Sequence, residues 1–271
     1  MDSLTSTFWC SVAIASSYVL VLYINPPQGH RESKKVIKSR LVRVSLSTLV
    51  CVLLVPVLMT KVTRTAYDSK EAFAYMGLTF DKTTVFGIAR ALVLFIGLFN
   101  GSLIEYLSWG PEVIYRDFKS LEPLQFLRNI VIAPITEEIT YTASILGLYG
   151  PFLHSPARSK IIYLSPLLFG LAHITHAYDS WRHERAPIAA ILASLLFRTL
   201  YTTFFGILTN LIFVNSHSVW TCVVAHCWCN FMGFPLFTVK GPVWWQALYY
   251  ILSLAGIWFF ATYFSTLTTS D

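Results

Sequence analysis

A chain of 271 residues with 55% hydrophobic and only 13% charged residues, at a mean hydropathy of +0.59, does not have the balance of a soluble domain, in which about a quarter of residues are charged. The net charge of +6 comes from basic residues gathered beside apolar segments, where they set orientation or meet anionic lipid, which argues against nucleic acid as a partner. Apolar segments consume most of the length and leave no room for a separate soluble domain, so we expect one integral-membrane domain over 1–271: an all-α polytopic transmembrane bundle of about eight spans.

Residues 8–24 form the first expected span. No positive segment precedes it and no small-residue cleavage site follows it, so it reads as a membrane helix and not as a leader. Asn25-Pro26-Pro27-Gln28-Gly29 is a turn-forming cluster that stops it. The next stretch carries Arg31, Lys34, Lys35, Lys38, Arg40 and Arg43 against Glu32 alone, and is expected as a cytosolic loop, with the N-terminus on the opposite side. Residues 44–59 are a second span, and 61–82 a loop of balanced charge. Residues 85–109 form a third span, with Arg90 and Glu105 near its ends where both can snorkel. A polar loop over 110–122 leads into 123–149, which Gly150-Pro151 ends. Further spans are expected at 161–176, 187–205, 216–237 and 244–266. Counting from the basic loop puts the loop at 178–185 on the cytosolic side, and His173 in the cytosolic half of its helix. The five cysteines, Cys10, Cys51, Cys222, Cys227 and Cys229, all lie in apolar segments and read as small buried hydrophobes. Cys227 and Cys229 do not suggest a metal pair, because residues two apart on a helix point about 200° apart.

Three polar clusters interrupt the apolar helices: Glu137-Glu138; Phe169-Gly170-Leu171-Ala172-His173 with His176; and His226-Cys227-Trp228-Cys229-Asn230. A carboxylate at membrane depth costs roughly 2.5–3.5 kcal/mol on insertion scales unless it faces protein, water or a partner. Two side by side point to chemistry, the bland alternative being one structural Glu paired with a buried Arg and a second reaching the interface. Residues four apart share a helix face, so His226 and Asn230 project into one space, as do Phe169 and His173. These side chains suffice for hydrolysis of an amide by water. A Glu in a low-dielectric pocket has its charged form disfavoured and can accept a proton from water, so Glu137 beside His173 can activate it. An imidazole N–H and an amide NH₂ from His226 and Asn230 can stabilise the developing oxyanion.

Two other readings compete. Glu137, His173 and His226 also suit a catalytic zinc by residue type, although the His-Glu-x-x-His pattern is absent: His183-Glu184 continues as Arg185-Ala186-Pro187. A non-catalytic scaffold or transporter would use the clusters for helix association, and each would then face a different neighbour.

Pro134-x-Thr136-Glu137-Glu138, Phe169-x-x-x-His173 and His226-x-x-x-Asn230, in that order on separate apolar helices, resemble the three motifs of the CPBP intramembrane protease family, and within it the eukaryotic Ras-converting type of CAAX prenyl endopeptidase. The resemblance covers a motif-bearing core of residues 85–237. It implies a membrane-helix bundle with a conical cavity open to the cytosol and the bilayer, residing in the endoplasmic reticulum membrane. The implied activity removes the last three residues from prenylated Cys-a-a-X termini, with Ras-type small GTPases among the substrates. Glu137 and His173 would activate water, while His226 and Asn230 form the oxyanion hole. No cofactor is implied, and zinc stays open as the competing reading. Phe169 and Glu138 are supporting residues. Many family members carry Glu-Glu-x-x-x-Arg, and here the Arg position is Thr142, so Glu138 lacks a local cation. We expect Arg198, an otherwise unexplained intramembrane cation, to replace it from a neighbouring helix.

Overall fold

Two prolines and a left-handed Asn25 (φ 47°) stop the first helix, α1 (Ser3–Leu20), and turn the chain back in the computed structural model, which describes residues 3–175, 178, 181 and 187–269. The second helix, α2 (Lys34–Thr63), closes this hairpin through Arg43. Its guanidinium donates to the carbonyls of Val21 at 3.3 Å, Asn25 at 2.7 Å and Ile24, acceptors just beyond α1 that have no helical partner. At 1.5 Å per residue α2 is about 45 Å long, against a hydrocarbon layer of about 30 Å, so its basic first turns extend past the apolar region. Much of the basic stretch expected as a loop is therefore helix. Lys and Arg are good helix formers and lose little rotamer freedom there.

The balanced loop also contains structure. Asp68 and Glu71 form a capping box that starts α3 (Ser69–Tyr75), and Asp81 with Thr84 forms another that starts α4 (Lys82–Leu98). The span expected over 85–109 is broken: α4 and α5 (Asn100–Ser108) meet at Phe99 with a bend of 70°. The short α6 (Pro111–Ser120) buries none of its residues and leads into a central rod over 123–149. This rod consists of α7 (Pro123–Phe126), a π segment (Leu127–Ile132), α8 (Ala133–Glu137), a second π segment (Glu138–Ser144) and α9 (Ile145–Tyr149). Then come α10 (Arg158–Leu164), α11 (Pro166–Ala172), α12 (Ile188–Ser216), α13 (Val219–Met232) and α14 (Val243–Thr268). Among the described residues every regular element is helical.

The chain is an all-α polytopic membrane bundle. α1, α2, α12 and α14 are each long and apolar enough to cross a bilayer, and the bent α4–α5 pair makes a fifth such unit. The rod, the α10–α11 pair and the 14-residue α13 occupy the other expected spans. α14 presents Ile251, Leu254 and Trp258 outward with well over half of their surface exposed, as a helix apolar on all sides does when lipid is its solvent. α12 runs past the boundary expected at residue 205. Gly206 does not end it but lets Pro166 approach: a Cβ there would lie 2.8 Å from the proline's Cβ. His176, His183, Glu184 and Arg185 lie outside the described residues.

α14 packs against the bend of the α4–α5 pair through Gly256, where a Cβ would sit 2.7 Å from the carbonyl oxygen of Leu98, a backbone atom that cannot rotate away. Gly256→Ala should therefore destabilise the protein by about 1–3 kcal/mol. Ile257→Leu, on the exposed face, should stay within about 0.5 kcal/mol. Thermal unfolding in detergent measures both, and an unchanged melting point for Gly256→Ala would contradict the packing.

Candidate active site

Pro134 governs the geometry of the rod. It has no N–H, and its ring crowds the carbonyl four residues back, which disfavours a regular α-helical turn there. The turn before it is π, and a second π segment begins at Glu138, immediately after Glu137. Such insertions re-aim side chains and recur at functional sites. Hydroxyls take up backbone carbonyls along the rod: Thr136 Oγ1 donates to Ile132 O at 2.8 Å, Ser144 Oγ to Ile139 O at 2.7 Å and Thr48 Oγ1 to Thr136 O at 3.5 Å.

Adjacent helical residues point about 100° apart, so the two carboxylates face different surroundings. Glu137 opens onto a cavity of about 420 Å³, whereas Glu138 is buried. α13 brings His226 to both. Its Nδ1 lies 2.8 Å from Glu138 Oε1 and its Nε2 is 3.7 Å from Glu137 Oε2. The second oxygen of Glu138 accepts from Thr142 Oγ1 at 2.7 Å. The expected pairing of Arg198 with Glu138 does not form: the Arg198 Nε donates to Ser194 Oγ on its own helix at 3.3 Å. Glu138 already has a partner on each oxygen, and Thr142, the departure from the Glu-Glu-x-x-x-Arg pattern, is one of them.

His173 caps the C-terminus of α11, with Nδ1 3.0 Å from the Phe169 carbonyl. That carbonyl can only accept, so Nδ1 carries the proton and, in a neutral ring, Nε2 is the basic nitrogen. The Phe169 ring separates the imidazoles, its centroid 5.1 Å from His173 and 6.2 Å from His226. Asn230, one turn after His226, donates from Nδ2 to Asn129 O at 2.9 Å. Glu137, His173, His226 and Asn230 all line the same cavity, where a scaffold built on separate helix contacts would have dispersed them. Among the described residues no group of three His, Cys, Asp or Glu side chains is spaced to hold a metal ion.

The cavity wall also contains residues that the sequence reading missed. Tyr141 lies four residues after Glu137 and shares its face, a signal that was available. Tyr18, whose hydroxyl meets Thr136 Oγ1 at 2.9 Å, had no local signal at 118 positions' separation. Arg31, Arg40 and Arg128 also line the wall. Glu32 meets Arg128 at 2.8 Å and Arg31 at 3.3 Å. Burial pushes the Glu32 carboxyl up, but Arg128 and Arg31 outweigh it and hold the group below its ordinary range.

A family model described as type II CAAX prenyl endopeptidase, Rce1-like, matches residues 119–232, a segment containing all four of these side chains. The CAAX prenyl protease 2 of Saccharomyces cerevisiae is 33% identical over 253 residues, covering 85% of this chain and 80% of the yeast protein. The CAAX prenyl protease 2 of Homo sapiens is 31% identical over 240 residues, covering 85% of this chain and 71% of the human protein. No solved structure matches.

Thr142→Val removes one of the two hydrogen bonds to Glu138 with little change of shape. It should cost about 1.5–3 kcal/mol, the range for a bond to a charged group, while Thr142→Ser keeps the hydroxyl and most of the stability. Chemical denaturation of the two variants side by side would expose an inconsequential bond as equal midpoints.

Proposed function

The chain belongs to the Rce1-like family of type II CAAX prenyl endopeptidases, and from that premise we propose that Glu137, His173, His226 and Asn230 are its catalytic set. It is a membrane-embedded CAAX prenyl endopeptidase, a hydrolase acting on prenylated CAAX proteins. The observation that carries the assignment is the convergence of these four side chains, from the rod, α11 and α13, on one cavity.

In the proposed reaction a water held by Glu137 and the Nε2 of His173 attacks the carbonyl carbon of the scissile peptide, and Glu137 takes its proton. The new oxyanion accepts hydrogen bonds from His226 Nε2–H and Asn230 Nδ2–H. The amide group of Asn230 has two N–H donors; one is held by Asn129 O and anchors the side chain, which leaves the other for the oxyanion. Glu138, tied to Nδ1, fixes the orientation of the His226 ring, and with Glu137 it offsets the charge of an imidazolium donating from both nitrogens. Collapse of the intermediate breaks the C–N bond as the proton on Glu137 passes to the leaving nitrogen, releasing the tripeptide with a free amine and a prenylcysteine carboxylic acid, whose remaining water-derived proton is then lost to the regenerated Glu137 carboxylate or to the amine.

Ras-type small GTPases are the substrates we infer, and the endoplasmic reticulum membrane, with the cavity toward the cytosol, is the inferred location. The orientation is supported by the basic first turns of α2, which extend on the side of the arginines lining the cavity.

Glu137→Gln should lower cleavage of a prenylated CAAX peptide by about 10²–10⁴-fold while leaving the folded bundle intact, and full activity would remove Glu137 as the base. Asn230→Ala should lower kcat by about 10²–10³-fold, as loss of one oxyanion donor does elsewhere. The same assay run with a chelator should keep its rate; a loss restored by added zinc would transfer Glu137, His173 and His226 to a metal mechanism.

A further inference from the structure

In the reaction above the cut falls directly after the prenylated cysteine, so the carbonyl under attack belongs to the residue that carries the lipid. Only the cysteine's α and β carbons separate that carbonyl from the thioether sulfur. The prenyl chain must therefore start beside the oxyanion donors, whatever direction it then takes. Phe205 is a ring next to His226, their centroids 4.7 Å apart, and it lines the cavity. It is also the inner end of a row. Phe197, Tyr201 and Phe205 recur every four residues on α12 and share one face, with a rise of about 12 Å from first to last. Exposure climbs along the row, from 8% at Phe205 through 40% at Tyr201 to 56% at Phe197, so it starts buried against His226 and ends on the outer surface of the bundle.

A second element closes on the row. α13 carries His226 and Asn230 and stops at Met232, where Gly233, at a φ of 67° that glycine adopts without strain, turns the chain and brings Phe234 against α12. The Phe234 centroid lies 5.4 Å from that of Tyr201 and 5.7 Å from that of Phe197, and those two rings stack on each other at 6.1 Å. The neighbouring ridge of α12 is aliphatic at Ile188, Leu192, Leu196 and Leu200, each more than half exposed, as suits a face solvated by lipid. The ridge that enters the cavity is the aromatic one, through Tyr201 and Phe205.

A prenyl chain gains no hydrophobic free energy by exchanging bilayer for another apolar surface, so packing against a surface of fixed shape is what can hold it in one place. Aromatic rings are large and rigid and present π-faces, on which the flat double bonds of isoprene units can lie. We propose that Phe205, Tyr201, Phe197 and Phe234 form the subsite for the prenyl chain of the cleaved cysteine, which runs from His226 outward along α12 to the bilayer. The inference rests on the catalytic set assigned above and adds the path of the lipid. Phe197 and Phe234 meet the far isoprene units and set the preference for chain length.

The test uses the whole protein in lipid-containing detergent and a CAAX peptide whose farnesyl chain ends in a photoreactive diazirine. After irradiation, mass spectrometry should find the label within residues 197–205 or 233–237, and excess unmodified farnesyl peptide should suppress it. Label on the exposed faces of α2 or α14 would overturn the proposal. Label on the aromatic row that the farnesyl peptide does not suppress would assign the rings to bulk lipid and overturn it too. In kinetics, Phe197→Ala and Phe234→Ala should each raise KM for a farnesylated peptide about 3–10-fold, the scale of one aromatic contact, with kcat kept. The same variants should change KM little for the S-geranyl peptide, which is one isoprene unit shorter. Leu196→Ala, on the aliphatic ridge, should leave both peptides unaffected. Equal losses with the two lipids, or the same effect from Leu196→Ala, would make the rings structural and sink the subsite. Cleavage of neither peptide by the wild type would remove the catalytic set itself, an outcome distinct from cleavage with the label elsewhere.

Discussion

One imidazole shared by two neighbouring carboxylates is the contact on which the rest of the site depends. Glu138 is 2% exposed, and an ion so far from water is tolerated only when its oxygens are occupied. His226 and Thr142 occupy them, at 2.8 and 2.7 Å. Since His226 lies 88 positions further along, satisfying that carboxylate docks α13 against the rod. Docking then puts Asn230, one turn later, at the cavity with Glu137. Charge satisfaction and assembly of the polar groups at the cavity are the same event here.

Around that contact the rod gives up regular helical geometry. Pro134 disfavours an ordinary α-turn, and one π segment before it and another beginning at Glu138 change which residues face the cavity. In a bilayer such a departure would leave carbonyls without partners, and water is not available everywhere to supply them. Thr48, Thr136 and Ser144 act in its place. Their hydroxyls are too small and too weakly polar to disturb packing, so the rod can be irregular and remain enclosed by apolar helices. The long apolar helices α2, α12 and α14 face outward, while the shorter, broken elements gather inside and carry the polar chemistry.

The arginines show the same separation of roles by position. At the basic end of α2 they favour one orientation of the chain across the membrane, and on the cavity wall they stand among the lining residues. Acid and imidazole share the lining with guanidinium groups and with apolar side chains such as Leu22 and Val44.

The sequence by itself determined the class of the molecule and pointed to the polar side chains that meet at its cavity. Hydropathy needs only composition and span length, so an all-α membrane bundle was legible. The i, i+4 spacing of His226 and Asn230, and of Phe169 and His173, is local geometry that any helix reproduces. Tertiary structure decided the partners. Arg198 was the natural candidate for Glu138 because it is the opposite charge, yet a Thr on the carboxylate's own helix and a His from α13 hold it, while Arg198 turns to Ser194. The bend at Phe99, the approach of Tyr18 to Thr136 and the arginines on the cavity wall were hidden for a related reason. Each depends on how far one helix is rotated about its axis against another. In the rod that rotation is set by π turns, and a side-chain pattern read at a constant 100° per residue cannot register them.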